Sequence, residues 1–416
     1  MNFYLNKFGF QSPSISLQPN SELEICVVIP CFNETALIDS LTSLLKCDPI
    51  KTAVEVIVVI NSGVKHSNEI REQNRLTYDE AVAWIEQNNR TNFQFHILLE
   101  ESLPKKHAGV GLARKIGMDE AVNRFDILDR DGIIVCFDAD SLCDENYMTE
   151  IEKHFNKFPK SPGCSIHYEH PVGGEEYEDA IYKGIINYEL HLRYYNQGLV
   201  YAGLPFAYHK VGSSMAVRSS AYQKQGGMNK RKAGEDFYFI HKIIALGGFT
   251  ELKSTRVIPS PRISDRVPFG TGKAIGDWIE SENLVFNTYG FESFQILKAF
   301  VDCVPAFMNE SIEKLPINLN ESQKQLLFGF LSTQKFEEAL VEIIKNSKRE
   351  SAFIKRFFRW FDAFKVLKFM HYLRDNGISN QPVLSESIKL LHKIGCAQQL
   401  ENELDQLLFI RELEKK

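Results

Sequence analysis

The chain has 416 residues, a formal net charge of −6, 44% hydrophobic residues and 25% charged residues. This length exceeds one ordinary hydrophobic core and predicts two domains, and the composition is that of a globular protein. The mild acidity argues against a nucleic-acid partner, because nucleic-acid-binding proteins usually carry a basic stripe.

Targeting signals and cysteine pairs are missing from the sequence. It shows neither a signal peptide nor an apolar stretch of about 18 residues, so we expect no membrane span and a cytoplasmic location. The eight cysteines include no CxxC pair. Most of them lie in apolar runs, which indicates buried, reduced thiols and argues against a zinc site or a disulfide framework.

Short apolar runs alternate with helical patterns in the N-terminal half. The runs have the composition of buried parallel strands and lie at 25–30, 54–60, 93–99 and 133–137. Asn33 is placed to cap a helix with leucines at 37, 41, 44 and 45 on one face, and a polar helical stretch reaches about residue 89. A further helix over 108–122 is entered through Gly109 and Gly111. The alternation predicts an α/β fold with a mostly parallel sheet, which binds ligands beyond the carboxyl ends of its strands.

The fourth run ends in two aspartates, as "IIVCFDADS" over 133–141. If the chain stays extended, Asp138 and Asp140 point the same way, into the crevice where such a sheet binds ligands. Crowded carboxylates raise a pKa unless a cation neutralises them, and Mg²⁺ or Mn²⁺ suits oxygen ligands. The alternative is that one aspartate caps a helix beginning near Asp144 while the other is solvated.

Six blocks follow one another in a known order: "VVIPCFNE", "VEVIVVINSG", "GVGLARKIGMDEAV", "IIVCFDADS", "GSSMAVRSSAYQKQGG" and "GEDFYFIHKI". Over about residues 24–260 the chain thereby resembles the family 2 type of glycosyltransferase. The resemblance implies the GT-A fold, a Rossmann-like, mostly parallel sheet flanked by helices. It also implies a nucleotide-sugar donor, a UDP- or GDP-sugar, and a hydroxyl acceptor.

The resemblance assigns residues to the donor side. Asp138 and Asp140 would hold a divalent metal, Mn²⁺ or Mg²⁺, that bridges the donor diphosphate. Leaving-group charge builds up as the sugar–phosphate bond breaks, and a Lewis acid stabilises it. Arg114, at the glycine-rich start of its helix, would add a charged donor to the diphosphate. The family usually has asparagine where Lys115 stands here.

Further residues would hold the nucleoside. By resemblance, Pro30, Asn33 and Glu34 would cradle it. Asn61 and Ser62 stand where the family commonly has aspartate with serine. An amide both donates and accepts hydrogen bonds whereas a carboxylate only accepts, so this departure leaves the identity of the base open.

The last block carries the acceptor side. By resemblance, Asp236 would remove the proton from the acceptor hydroxyl, and Glu235 would bind or orient the acceptor. The preceding block would form part of the acceptor wall, with Gly212 and Ser213 close to the sugar. The structural alternative is an acidic first helical turn that favours the helix dipole. Related enzymes that retain configuration carry a similar motif, so the stereochemical outcome stays open.

Two arginines follow the blocks, in "PSPRISDRVPFGTGK" over 259–273. Arg262 and Arg266, with Gly270 and Gly272, suit a cationic lid that closes over a diphosphate or an acidic acceptor. The alternative is an ordinary linker whose arginines pair with surface carboxylates.

The C-terminal third shows helical patterns, with a helix start at Asn320 or Ser322. We predict an extension over 1–22, a GT-A domain over 23–275 and an α-helical domain over 276–416. The basic, aromatic stretch 354–374 suggests a membrane-surface helix, but its apolar residues scatter around a single helix axis, which favours burial between helices.

These observations predict a metal-dependent glycosyltransferase, and oligomer formation stays open. Two alternatives stand beside it. A sugar nucleotidyltransferase usually has a glycine-rich loop after its first strand, which "PCFNETAL" lacks. A catalytically silent binding protein with this fold would be favoured by loss of the acidic motifs, and both are intact. The sugar, the acceptor and the duty of the helical domain are not encoded in any pattern that we identify.

Overall fold

The structure, a computed structural model, describes residues 2–281, 284–396 and 400–416. Within them the chain forms two compact units. The first comprises the chain up to Glu175, Lys210–Lys273 and Lys415, and the second comprises Glu176–His209, Ala274–Glu414 and Lys416. The domain boundaries after residues 22 and 275 stay a prediction, and the units divide the chain at other points because 176–209 groups with the C-terminal helices.

The first unit contains one large sheet and the helices that cover it. Its strands, numbered along the whole chain, are β1 Leu23–Cys31, β2 Ala53–Gly63, β3 Phe93–Leu103, β4 Ile133–Cys136, β5 Leu142–Cys143, β6 Gly163–Tyr168, β7 Met215–Arg218 and β8 Thr250–Ile258. Its helices are α1 Phe3–Phe8, α2 Leu37–Leu45, α3 Asn68–Asn88, α4 Val110–Ile127, α5 Tyr147–Lys157, α7 Ser219–Lys224 and α8 Glu235–Ile244.

The strand order is β3-β2-β1-β4-β7-β6-β8-β5. Strands β3, β2, β1 and β4 are parallel to their neighbours, as are β6 and β8, whereas β7 runs antiparallel to β4 and β6, and β5 to β8. The predicted class, a mostly parallel α/β sheet flanked by helices, is therefore confirmed. All four predicted strands are present, because continuous apolar runs such as "VEVIVVI" suit strands covered on both faces.

Two details at the end of β1 differ from prediction. The strand continues through Pro30 to Cys31. Proline is tolerated there because the ladder with β4 ends at Val28, so no amide hydrogen is needed on that side. Asn33 does not cap α2, which begins after Ala36 without a side-chain cap. Asn33 instead adopts a left-handed conformation, with φ at 50°, which asparagine tolerates.

The second unit is mainly helical, which confirms the helical C-terminal part. Its elements are α6 Asp179–Tyr201, α10 Phe291–Asp302, α11 Glu321–Thr333, α12 Phe336–Lys345, α13 Glu350–Trp360, α14 Ala363–Asp375, α15 Val383–Lys393, α16 Glu403–Lys415, the 3₁₀ helices Val304–Met308 and Ile312–Lys314, and the short strands β9 Asn287–Thr288 and β10 Gln381–Pro382. Helix α9, Thr271–Glu280, runs across the unit boundary. Asn320 caps α11 in a full capping box, as predicted.

The basic, aromatic stretch 354–374 is two helices rather than one. Helix α13 buries Phe353 and Phe357, and α14 buries Val366, Phe369, Met370 and Leu373. The predicted burial is confirmed, but the apparent scatter of apolar residues came from the break between the helices, after which a new buried face begins. In the described part of the chain, no helix combines the length and the apolar character that a membrane span needs.

Candidate active site

Polar residues gather where the parallel strands of the first unit end. Asn33 and Glu34 follow β1, Asn61 and Ser62 lie in the last residues of β2, and Asp138 follows β4. Because β2, β1 and β4 are adjacent and parallel, these residues share one edge of the sheet. This is the edge at which the sequence predicted a ligand site.

A first charged cluster forms around Glu34. The Glu34 carboxylate is 1% exposed and accepts hydrogen bonds from the backbone N–H of Thr35 and Ala36, at 2.9 and 3.0 Å. Arg266 Nη1 donates to Glu34 Oε2 at 2.8 Å, and Arg262 Nη1 donates to Oε1 at 3.1 Å. Buried carboxylates require such partners, and Glu34 has both guanidinium and backbone donors.

Arg262 links this cluster to the D-x-D motif. Its Nε donates to Asp140 Oδ2 at 2.7 Å, so one guanidinium bridges Asp140 and Glu34. Burial works to raise the pKa of Glu34, but Arg266, the Ala36 N–H and Arg262 together hold that pKa below its usual value. Burial raises the pKa of Asp140 despite the opposing charge of Arg262. The partners of Glu34 therefore favour its ionised form, whereas burial disfavours the ionised form of Asp140.

A second charged cluster forms around Arg114, which α4 carries into the interior. The Arg114 side chain is 2% exposed. Its Nη2 donates to Asp138 Oδ1 at 2.8 Å, its Nη1 donates to the Gly212 carbonyl at 2.6 Å, and its Nε lies 3.6 Å from Glu235 Oε1. One buried cation thus holds the D-x-D motif beside the acidic motif of α8.

Negative charge exceeds positive charge in this second cluster. Burial raises the pKa of Asp138, of Glu235 and of Asp236, and in each case the charge of Arg114 opposes the shift. Asp236 adds to the rise at Asp138 and Glu235, because like charges disfavour each other's ionised forms. Shifted carboxyl groups in a shared site suit proton transfer near neutral pH.

The two oxygens of Asp236 have different surroundings. The Phe237 N–H donates to Asp236 Oδ1 at 2.7 Å, as expected for an acid in the first turn of a helix. The position of Oδ2 is close to Gly212, where an added methyl group would lie 3.3 Å from it. The Phe237 N–H uses Oδ1, which leaves Oδ2 for the predicted catalytic role, and the Gly212 backbone works to lower the pKa of the same carboxyl group against the effect of burial.

The predicted nucleoside side contains an unsatisfied polar group. The Asn33 N–H donates to Asn74 Oδ1 at 2.8 Å, and Asn74 Nδ2 donates to the Asn61 carbonyl at 3.0 Å, which ties the ends of β1 and β2 together. The amide of Asn61 is buried, and within the described residues both its oxygen and its nitrogen are without a partner. Ser62 donates to the Glu101 carbonyl at 3.3 Å. A buried amide with no partner is costly and suits a ligand that brings its own hydrogen bonds.

The D-x-D carboxylates have suitable chemistry for a divalent cation. Arginine contacts use Oδ1 of Asp138 and Oδ2 of Asp140, so each carboxylate keeps its other oxygen. Burial raises the pKa of both groups, and a hard oxygen-binding ion would favour their ionised forms. Within 2–281, 284–396 and 400–416, no group of three or more His, Cys, Asp or Glu could by itself hold a metal.

The backbone at the D-x-D motif differs from the extended conformation that the sequence predicted. Strand β4 ends at Cys136, and the Ser141 N–H donates to the Asp138 carbonyl, so the chain turns instead of staying extended. The two aspartates consequently contact different arginines. Arg114 is enclosed by Asp138, Glu235 and Gly212, and Pro30 is buried within β1.

Sequence reasoning missed two supporting asparagines. Asn74 joins the strand ends as described above, and Asn229 Nδ2 donates to the Glu235 carbonyl at 2.8 Å, which anchors the start of α8. Both side chains bond to the backbone of other segments, at separations of 41 and 13 positions for Asn74 and 6 for Asn229, and no local motif marks them. Asn74 is one polar residue among many on α3 in the sequence, and its burial is seen only in the structure.

Replacement of Gly212 by alanine tests how tightly Arg114 is enclosed. The new methyl group would lie 2.9 Å from Arg114 Nη1, so the guanidinium must move away from the Gly212 carbonyl. We expect a loss of about 1–3 kcal/mol in the free energy of unfolding, as for other overpacked sites. Gly173→Ala, where nothing lies within 4 Å, is the matched control and should leave stability unchanged. Equal stability of the two variants in urea unfolding would contradict the enclosure.

Comparison with protein families supports the predicted resemblance. Residues 133–280 match the model of glycosyl transferase family group 2. The matched segment contains the D-x-D motif, the Gly212 block and the acidic motif, so the resemblance that these blocks predicted is confirmed. The match supports a glycosyl transfer role.

A comparison with solved structures gave matches of low identity and low TM-score. TarS 1-349 from S. aureus in complex with UDP-GlcNAc has 14% identity and a TM-score of 0.40, covering 90% of this chain and 93% of that chain. Mannosyltransferase PcManGT from Pyrobaculum calidifontis, in complex with GDP-Man and Mn²⁺, has 14% identity and a TM-score of 0.35. The match covers 99% of this chain and 91% of that chain. GalNAc-T7 with UDP, GalNAc and Mn²⁺ has 14% identity and a TM-score of 0.38. The match covers 75% of this chain and 54% of that chain. A search of curated proteins found no match.

Proposed function

We propose that this protein transfers a hexose from a UDP- or GDP-sugar to a hydroxyl acceptor with the help of Mn²⁺ or Mg²⁺. The observation that carries the proposal is the buried Arg114, which holds Asp138 of the D-x-D motif and Glu235 of the acidic motif in one cluster. The carboxylate proposed to bind the metal and the acid proposed to orient the acceptor thus contact the same guanidinium, and the candidate base Asp236 follows Glu235 in the chain. That arrangement suits a reaction in which a diphosphate leaves one side of a sugar while a hydroxyl attacks.

The donor would lie at the carboxyl edge of β1, β2 and β4. Asp138 and Asp140 would hold the metal, and when bound the ion would neutralise charge on the departing diphosphate. Arg262 and Arg266, in contact with Asp140 and Glu34, would supply the guanidinium groups that a diphosphate needs. The unpartnered amide of Asn61 would bond the nucleoside.

The acceptor would approach the start of α8. Asp236 would accept the proton of the acceptor hydroxyl at Oδ2, since Oδ1 is engaged with the Phe237 N–H. Glu235, which is 4% exposed, would orient the acceptor. Its ion pair with Arg114 would hold the Glu235 carboxylate in place. Burial and the neighbouring acid make these carboxyl groups better proton acceptors than ordinary surface ones.

Thermal stability against a panel of nucleotide-sugars tests this proposal directly. A ligand at 100 times its Kd adds roughly 2.7 kcal/mol to the native state, which is readable as a rise in melting temperature. We expect one nucleotide family to give such a rise with Mn²⁺ or Mg²⁺, and a smaller one with chelator. Asp138→Asn should lose the metal-dependent part of the rise. No rise with any nucleotide-sugar would favour a catalytically silent binding protein.

Arg262→Ala tests the predicted lid role of the segment 259–273. Loss of one charge-assisted contact to the diphosphate, about 1.5–3 kcal/mol, should raise the donor KM about tenfold or more. Arg75→Ala removes a comparable but largely exposed arginine that pairs with Glu101, and should leave the KM unchanged. An unchanged donor KM in Arg262→Ala would indicate that the segment 259–273 is a linker and not a lid.

A further inference from the structure

Two surface turns of the first unit carry a dense group of cations directly before the acidic motif. One turn lies between β3 and α4 and the other precedes α8. We call their exposed cations the basic ridge, and its members are Lys105, Lys106, Lys230, Arg231 and Lys232. The ridge ends three residues before Glu235 in sequence.

The two turns are fastened to each other and to the catalytic helix. The Gly111 N–H donates to the Arg231 carbonyl at 3.2 Å, and His107 Nδ1 lies 3.3 Å from the Lys230 carbonyl. Gly111 permits this approach, since an added methyl group would lie 2.3 Å from the Arg231 oxygen. Asn229 accepts the Arg231 N–H and donates to the Glu235 carbonyl. The backbone that presents the ridge is therefore held in a defined position beside α8.

The charge of the ridge is not balanced by the protein. No ion pair within the described residues includes any of its five members, and neither 104–109 nor 229–233 contains an acidic residue. The charge of the ridge also affects a neighbouring histidine. Burial lowers the pKa of His66, and the positive charge of Lys232 lowers that pKa further. Five cations gathered on one surface repel each other, and an anionic ligand would relieve that repulsion.

A donor diphosphate does not account for this charge. The donor already has cations of its own, because Arg262 and Arg266 contact Asp140 and Glu34 at the crevice. The ridge side chains are instead exposed on turns, and five of them exceed what one diphosphate would neutralise. A series of exposed, flexible ammonium groups suits an extended ligand with repeated negative charges.

We propose that the basic ridge binds the acceptor, and that the acceptor is a hydroxyl-bearing polymer with repeated phosphate or carboxylate groups. This inference rests on the proposed function, since it uses the acidic motif of α8 as the place where the acceptor hydroxyl reacts. The ridge would hold the anionic groups of the polymer while one hydroxyl lies at Asp236. The proposed acceptor is thereby limited to hydroxyl compounds that carry negative charge.

Binding of defined polyanions to the full chain tests the inference. The probes are inorganic polyphosphate, which carries phosphate, and polygalacturonate, which carries carboxylates and hydroxyls, with dextran as the neutral comparison. The ridge variant is Lys105→Ala/Lys106→Ala/Lys230→Ala/Lys232→Ala. Arg231 is left in place because its guanidinium stacks on Tyr238 at 3.7 Å. The matched control replaces four exposed lysines of the second unit by alanine, Lys345, Lys348, Lys355 and Lys368.

We expect the wild-type protein to bind one of the polyanions and not dextran, with affinity that falls as salt rises. The ridge variant should bind that polyanion at least tenfold more weakly, and the control variant within twofold of wild type. Whichever probe binds identifies the anionic group. Equal losses in both variants, or no polyanion binding by wild type, would overturn the inference.

The same samples separate this inference from the proposed function. The rise in melting temperature with nucleotide-sugar and metal is measured for all three proteins, and the ridge variant should keep it. A normal donor-induced rise without polyanion binding means that only the acceptor inference fails. If the donor-induced rise is absent from all three proteins, the proposed function itself fails.

Discussion

Replacement of Asp236 by asparagine is expected to lower turnover by about 10² or more while donor binding stays intact. The asparagine oxygen can still accept the Phe237 N–H that Asp236 Oδ1 accepts at 2.7 Å, so the start of α8 should remain folded. What the variant loses is a basic oxygen near Gly212. A large fall in kcat with an unchanged nucleotide-sugar affinity is the signature of a lost general base.

A second helix provides the control for this experiment. Asp39 is the acidic residue in the first turn of α2; it is exposed and makes none of the contacts described for the two charged clusters. Asp39→Asn removes the same favourable interaction with a helix dipole, worth about 0.3–1 kcal/mol, without touching the site. Turnover should be unchanged in Asp39→Asn. Near-normal turnover in Asp236→Asn would leave Asp236 with a helix-terminal role only.

Replacement of Arg114 by methionine is expected to lower the free energy of unfolding by about 3–5 kcal/mol near pH 8. Methionine approximates the volume of the side chain but leaves Asp138 and Glu235 in a site that disfavours their ionised forms. The variant should also lose turnover, because Asp138 and the acidic motif are no longer held together. Urea unfolding followed across pH measures the stability loss.

The pH dependence of this loss has a definite sign. Burial raises the pKa of Glu235 to about 7, above its value in the unfolded chain, and removal of Arg114 raises it further. Protonation therefore relieves the unpaired charge, so the difference from wild type should shrink as pH falls from 8 towards 5. Arg114→Met/Glu235→Gln should recover part of the stability at pH 8.

Two findings would contradict this account of Arg114. One is a stability loss that does not change with pH, which would indicate lost packing instead of unpaired charge. The other is a loss no larger than that of Arg75→Met. Arg75 is 60% exposed and pairs with Glu101, so its replacement should leave the free energy of unfolding close to that of wild type.

Prediction from sequence succeeded where the signal is local. The four parallel strands were identified because each is a short, continuous apolar run, and α4 because glycines precede a helical pattern. Strands β5, β6, β7 and β8 were not predicted. Short segments such as "MAVR" carry no distinct periodicity, and β8, "TELKSTRVI", contains mostly polar residues. The helix cap at Asn33 was wrong because the Glu34 side chain takes the N–H groups of Thr35 and Ala36.

By itself, the sequence determined the class of sheet, the edge at which the polar residues gather and the acidic motifs, because apolar runs and short motifs act within a few residues. Tertiary structure alone decided which charges meet. Arg262 reaches Glu34 across 228 positions, and Arg114 reaches Gly212 across 98. Such pairings depend on the order of the strands and on the burial of each side chain. The local pattern of residues predicts neither the strand order nor the burial.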